Sequence, residues 1–159
     1  MDIQTLFSVK DKVAVITGGG SGIGLMIATA FIKNGAKVYI TSRKIQVLKS
    51  VAEELTRLGP GQCIPLASDL QSYEQTKALA AELQRLEPQG IHVLVNNSGA
   101  TWGEDDIESY PDSAWTKLLT LNVQRVFTLT QLLLPALEKA TSTSGSASVI
   151  NIGSIDGLK

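Results

Sequence analysis

The sequence predicts an α/β fold, a doubly wound parallel sheet of about five strands in a single domain. Three observations carry that expectation. Five short apolar runs alternate with four stretches of helical periodicity. A glycine-rich turn, Gly18 to Gly24, joins the first run to the first helix, where free backbone N–H groups and a positive dipole end suit a phosphate. A second unusual turn, Asn96-Asn97-Ser98-Gly99, follows the fourth run. With right-handed crossovers and strand order 3-2-1-4-5, both turns fall at the carboxyl ends of adjacent strands, where the ligand crevice of such a sheet opens.

Each element has a local reason. Val13–Thr17 is a continuous apolar run, as expected of a strand covered on both faces. Ile23, Met26, Ile27, Ala30 and Phe31 then share one helix face, and Asn34-Gly35 supplies a left-handed end. Lys37–Thr41 is the second strand. Ile45, Leu48, Ala52, Leu55 and Leu58 line the second helix, which Gly59-Pro60-Gly61 stops. Gln62–Ala67 is the third strand. Ser72-Tyr73-Glu74-Gln75 has the form of a capping box and opens a helix reaching about Leu86. Ile91–Val95 is the fourth strand. A polar loop carrying Trp102 and Tyr110 leads into a long helix from about Asp112 to Lys139, expected to bend near Pro135. Thr141–Ser146 reads as a connector to the fifth strand, Ala147–Gly153.

Composition narrows the function classes. The chain has 159 residues, 43% hydrophobic and 18% charged, with a net charge of −1. That balance gives no electrostatic footprint for nucleic acid or an anionic membrane. The longest apolar stretch, Leu132 to Leu137, contains Pro135 and is far too short to span a bilayer. The start of the chain does not read as a secretory signal, and the single cysteine, Cys63, reads as a small buried hydrophobe in a strand. A cytoplasmic protein is expected, acting on a small molecule, without a metal.

The end of the second strand bears on the cofactor. A site for a free ribose hydroxyl normally carries Asp or Glu there. Here the residues are Thr41-Ser42-Arg43-Lys44, a hydroxyl and cations that suit a 2′-phosphate, or else form a solvated basic turn. Asp69 after the third strand can accept from an adenine amino group or serve as a turn residue. Asn96 and Asn97 can brace a sharp turn, and Gly99 permits close approach of a ligand. Trp102 and Tyr110 either line a substrate entrance or pack. His92 reads as structural.

Taken together, Thr17-Gly18-x-x-x-Gly22-x-Gly24, Asp69, Asn96-Asn97-Ser98-Gly99, Asn122 in Leu-Asn-Val and Ser154 after Val-Ile-Asn-Ile-Gly resemble the short-chain dehydrogenase/reductase family. Ser98 stands where that family usually has Ala. Within the family the chain is most similar to β-ketoacyl reductases of the rhamnolipid 3-oxoacyl carrier-protein type, through Thr101-Trp102-Gly103, Glu108-Ser109-Tyr110-Pro111 and Ile150 to Ile155. The resemblance implies a Rossmann-type fold and NADP(H). Gly18, Ser21, Gly22, Ile23 and Gly24 would wrap the pyrophosphate and adenosine end, Ser42 and Arg43 would hold the 2′-phosphate, Asp69 and Leu70 would flank adenine, and Asn96 would lie near the inner ribose. Ser154 would polarise the substrate carbonyl, and Asn122 would help position a water of the proton relay.

The family's Tyr-x-x-x-Lys pair, its proton donor and activator, does not follow Ser154 before the last residue, Lys159. None of Tyr39, Tyr73 and Tyr110 substitutes; Tyr110 has Ala114 where the Lys would stand. The expectation is therefore the N-terminal, cofactor-binding part of an NADPH-dependent carbonyl or 3-oxoacyl reductase, truncated after the fifth strand. Alone it should be inactive and poorly stable, with the fifth strand an exposed edge; a full-length family member would be a homo-oligomer. The alternative is a non-catalytic nucleotide-binding or interaction protein. A Rossmann-type methyltransferase fits less well, because it would want an acid at the end of the second strand.

Overall fold

The computed structural model describes residues 6–155. Five strands, β1 (Val13–Thr17), β2 (Lys37–Ser42), β3 (Gln62–Ala67), β4 (Val93–Asn96) and β5 (Ser148–Asn151), form one sheet in the order β3-β2-β1-β4-β5. Every pairing is parallel, with Val15 opposite both Tyr39 and Leu94, and Val95 opposite Ile150. The helices are α1 (Gly22–Lys33), α2 (Ile45–Thr56), α3 (Tyr73–Leu86), α4 (Asp112–Leu119) and α5 (Arg125–Ser144).

Because strand side chains alternate between faces, β1 feeds two cores. Ala14 and Ile16 pack with Ala28 and Ile32 of α1 and Leu48, Ala52 and Leu55 of α2. Val13 and Val15 pack on the opposite face with Leu79 and Leu83 of α3 and Leu129 and Leu133 of α5. This is the doubly wound arrangement the apolar run at Val13–Thr17 called for. Ser72 caps α3 by accepting from the Gln75 N–H at 3.3 Å. The Gln75 side chain does not close the box; it accepts from the Asp69 N–H at 2.9 Å, steadying the loop after β3.

Three details differ from the sequence reading. On α1, Ile23 and Met26 are 58% and 71% exposed, and the buried positions are Gly24, Ala28 and Ile32. Close backbone contact decides this: a Cβ on Gly24 would lie 2.4 Å from the Gly18 carbonyl oxygen, so the helix turns its smallest residue inward. The long helix from Asp112 breaks at a π turn, Thr120–Gln124, centred on Asn122, whereas Pro135 lies inside α5. α5 also runs on to Ser144, ended by Gly145 at φ +81, so most of the expected connector is helical. β1 and β3 match the expected runs, β2 and β4 each continue one residue further, to Ser42 and Asn96, and β4 and β5 begin later than expected; Ile91 is buried ahead of β4 with its N–H bonded to the Ala136 carbonyl at 3.0 Å.

β5 pairs only with β4, and all four of its residues are exposed. Phe127 on α5 is 68% exposed beside this edge region. Among the described residues no helix is long and apolar enough to cross a membrane.

Candidate functional site

The two unusual turns form one hydrogen-bonded unit. Thr17 Oγ1 accepts from the N–H of Asn97 at 2.9 Å and of Ser98 at 2.8 Å. The Asn97 side-chain amide returns a bond to the Thr17 carbonyl at 2.9 Å. One buried threonine therefore locks the end of β1 to the end of β4. Gly18 and Gly22 adopt φ +66 and +53, the left-handed region that side chains disfavour. Ser21, the N-cap of α1, makes no side-chain bond to the helix, so the first N–H groups of α1 are not capped from within.

Two cavities open above this unit. The first, about 750 Å³, is lined by Gly18, Ser21, Ser42, Arg43, Asp69 and Leu70 among others. The second, about 880 Å³, is lined by Ile23, Asn96, Asn122, Val126, Phe127 and Ser154 among others. Residues 97–101, including Gly99, border both, so the pair reads as one cleft with two ends. Gly22 and Gly24 line neither; Gly24 is buried and serves packing.

At the first end, Arg43 is exposed and takes part in neither of the two ion pairs among the described residues. Thr41 Oγ1 is buried beside it with no hydrogen-bond partner, an unmet hydroxyl on the cavity wall. Asp69 uses one carboxylate oxygen to accept from the Gln71 N–H at 3.0 Å, the Asx-type turn anticipated as one alternative. At the second end, Asn96 is buried and donates to Thr130 Oγ1 at 3.1 Å and Asn151 Oδ1 at 2.9 Å, bracing β4 against α5 and β5. Asn122 closes a two-bond ring on Ala100, accepting from its N–H and donating to its carbonyl, each at 2.9 Å. Its side chain therefore holds the loop that divides the cleft.

Trp102 lines the first cavity with Arg43, away from Ser154, and Tyr110 packs on Trp115 with ring centroids 5.7 Å apart. Lys117, Leu118 and Leu121 join the first cavity from α4 and the π turn. No motif marks them; the sequence shows that α4 exists but not which of its residues meets the crevice. His92 Nδ1 accepts from the Val13 N–H at 3.1 Å, and burial, aided by nearby Lys12, holds its pKa below the usual imidazole range. Burial pushes the Cys63 thiol up to about 12, which suppresses its thiolate. Tyr39 donates to the buried Glu87 carboxylate, and burial together with that contact raises its pKa. Among the described residues no three His, Cys, Asp or Glu side chains gather as a metal site.

Residues 12–159 match the short chain dehydrogenase family. The chain is 41% identical over 152 residues to the rhamnolipids biosynthesis 3-oxoacyl-[acyl-carrier-protein] reductase of Pseudomonas aeruginosa, covering 96% of this chain and 58% of the relative. The Pseudomonas aeruginosa RhlG/NADP active-site complex superposes with a TM-score of 0.89 at 40% identity, over 96% of this chain and 58% of that one. A metagenomic short-chain oxidoreductase in complex with NADP gives a TM-score of 0.84 at 29% identity, over 96% and 66%. The chain thus spans less than two thirds of the curated relative it matches. It belongs to the short-chain dehydrogenase family.

Proposed function

We propose that this short-chain dehydrogenase family member binds NADP(H) and is the cofactor-binding part of a carbonyl reductase acting on a 3-oxoacyl compound or another ketone. One observation carries the cofactor choice: Ser42 and Arg43, and no carboxylate, stand at the end of β2 on the wall of the cavity that begins at Gly18. A guanidinium with two parallel donors matches phosphate oxygens, and a carboxylate there would repel them. The residues fit the group: the cradle at Gly18 has the left-handed backbone a side chain would oppose, and Thr41 Oγ1 lacks a partner.

When bound, NADPH supplies hydride. Gly18 and Ser21 would hold the pyrophosphate, Ser42 and Arg43 the 2′-phosphate, and Asp69 and Leu70 the adenine. Gly99 would leave room for the inner ribose, while Asn96 braces the end of β4. Ser154 donates a hydrogen bond to the substrate carbonyl oxygen and stabilises the negative charge that develops there. Asn122, through Ala100, keeps the dividing loop in place, so its part in any water relay runs through that loop. The described residues 6–155 belong to a single Rossmann-type domain. A general acid would complete the chemistry and contribute about 10²–10⁴-fold.

Titration with NADPH and NADH tests the reading. NADPH should bind roughly ten- to a hundredfold more tightly, and Arg43→Ala should erase most of that preference. Equal affinity for the two, unchanged in Arg43→Ala, overturns it. A non-catalytic nucleotide-binding role shares the same cleft. Ketone-dependent NADPH oxidation, lost in Ser154→Ala, decides for the reductase.

A further inference from the structure

We infer that Trp102, clasped by Lys117, is the outer wall of the adenine end of the cleft and sets how tightly the purine is held. The inference rests on the cofactor reading and adds residues that no glycine or asparagine motif marks. Trp102 and Lys117 both line the cavity of Arg43 and Asp69, and neither lines the cavity of Ser154. The indole is held from two directions: Nε1 donates to Glu104 Oε1 at 2.8 Å, and Lys117 Nζ stands 4.7 Å from the ring centroid.

This clasp is tied to the Asp69 loop. The Lys117 carbonyl accepts from Gln71 Nε2 at 3.0 Å, the Gln71 N–H donates to Asp69, and the Gln71 carbonyl accepts from the Arg125 guanidinium at 3.3 Å. Indole, α4 and the Asp69 loop are thus joined around the cavity mouth. Leu70 and Leu121 add aliphatic surface beside them. A ring and aliphatic walls sharing the cavity with the Asp69 carboxylate suit a flat base with an exocyclic amine, because the ring can stack on the base while the carboxylate accepts a hydrogen bond from the amine. The phosphates fall to the cationic corner at Arg43.

The chain holds two tryptophans, so Trp115→Phe leaves Trp102 as the sole indole reporter. In that background 2′,5′-ADP should change the emission of Trp102. Trp102→Leu in the full chain should weaken 2′,5′-ADP roughly tenfold, and Lys117→Met about two- to fivefold, with nicotinamide mononucleotide binding unchanged. Trp102→Phe, which keeps an aromatic wall, should recover most of the loss, and it serves if Trp102→Leu does not fold. If the wild-type chain binds 2′,5′-ADP and the Trp102 and Lys117 variants bind it equally well, the clasp is overturned and the cofactor reading stands. If Trp102→Leu weakens both mononucleotides alike, the clasp also falls. A wild-type chain that binds neither 2′,5′-ADP nor NADPH removes the cofactor reading and this inference together.

Discussion

β1 and β5 are short parallel strands of one sheet, yet every residue of β1 is buried and every residue of β5 is exposed. The β1–β3 side has helices packed on both faces, and its strand ends share the wall of the first cavity with the turn after β4 and with α4. On the β5 side, Val149 and Ile150 are 42% and 41% exposed, and the cavity of Ser154 is bounded by this half-covered edge. The contrast teaches that the two ends of the cleft have different degrees of self-sufficiency. The residues of the first cavity follow strands with packed faces. Ser154 follows a strand whose apolar side chains Val149 and Ile150 remain exposed.

Core truncations give the strongest way to break that contrast. Ile16→Ala should cost about 3–4 kcal/mol in urea unfolding, while Ile150→Ala should cost less than about 1 kcal/mol because much of its side chain already meets water. Equal losses would abolish the distinction between the halves. Thr17→Val comes next. It leaves the N–H groups of Asn97 and Ser98 without their acceptor, an expected loss of about 2 kcal/mol, and it should loosen nucleotide binding as well. A variant as stable as the parent with unchanged NADPH affinity would show that the two turns are not locked through this residue.

The smallest effect concerns pH. His92 Nδ1 accepts the Val13 N–H, and burial disfavours the imidazolium. With its folded pKa below the ordinary value of 6.5, the unfolded chain takes up the proton more readily. The contribution is therefore complete above that value and is lost as pH falls through it toward the folded pKa. His92→Gln should flatten this part of the stability profile between neutral and mildly acidic pH; an unaltered slope assigns the acid sensitivity elsewhere.

Much of the fold is legible in short windows of sequence. The apolar run Val13–Thr17, the capping serine Ser72 and the left-handed Gly35 each act within a few residues, so their elements follow from local chemistry. The same holds for Arg43 at the end of β2, since strand order puts that corner beside the glycine turn. Legibility fails where a distant partner decides. Ile23 and Met26 look like a core face of α1 until the backbone of Gly18 claims Gly24. Pro135 looks like the break in the long helix, but Asn122 lies at the break, where it reaches Ala100. Trp102 sits in a loop that can face either end of the cleft, and only its contacts with Glu104 and Lys117 settle which.

By itself, then, the sequence determined the succession of strands and helices and the placement of two special turns at neighbouring strand ends, because glycine dihedrals, caps and apolar periodicity are local properties. Tertiary structure alone decided which side chains share a cavity. Thr17 with Asn97, Gln71 with Arg125 and Trp102 with Arg43 meet through packing of elements far apart in the chain, and no local preference encodes that meeting.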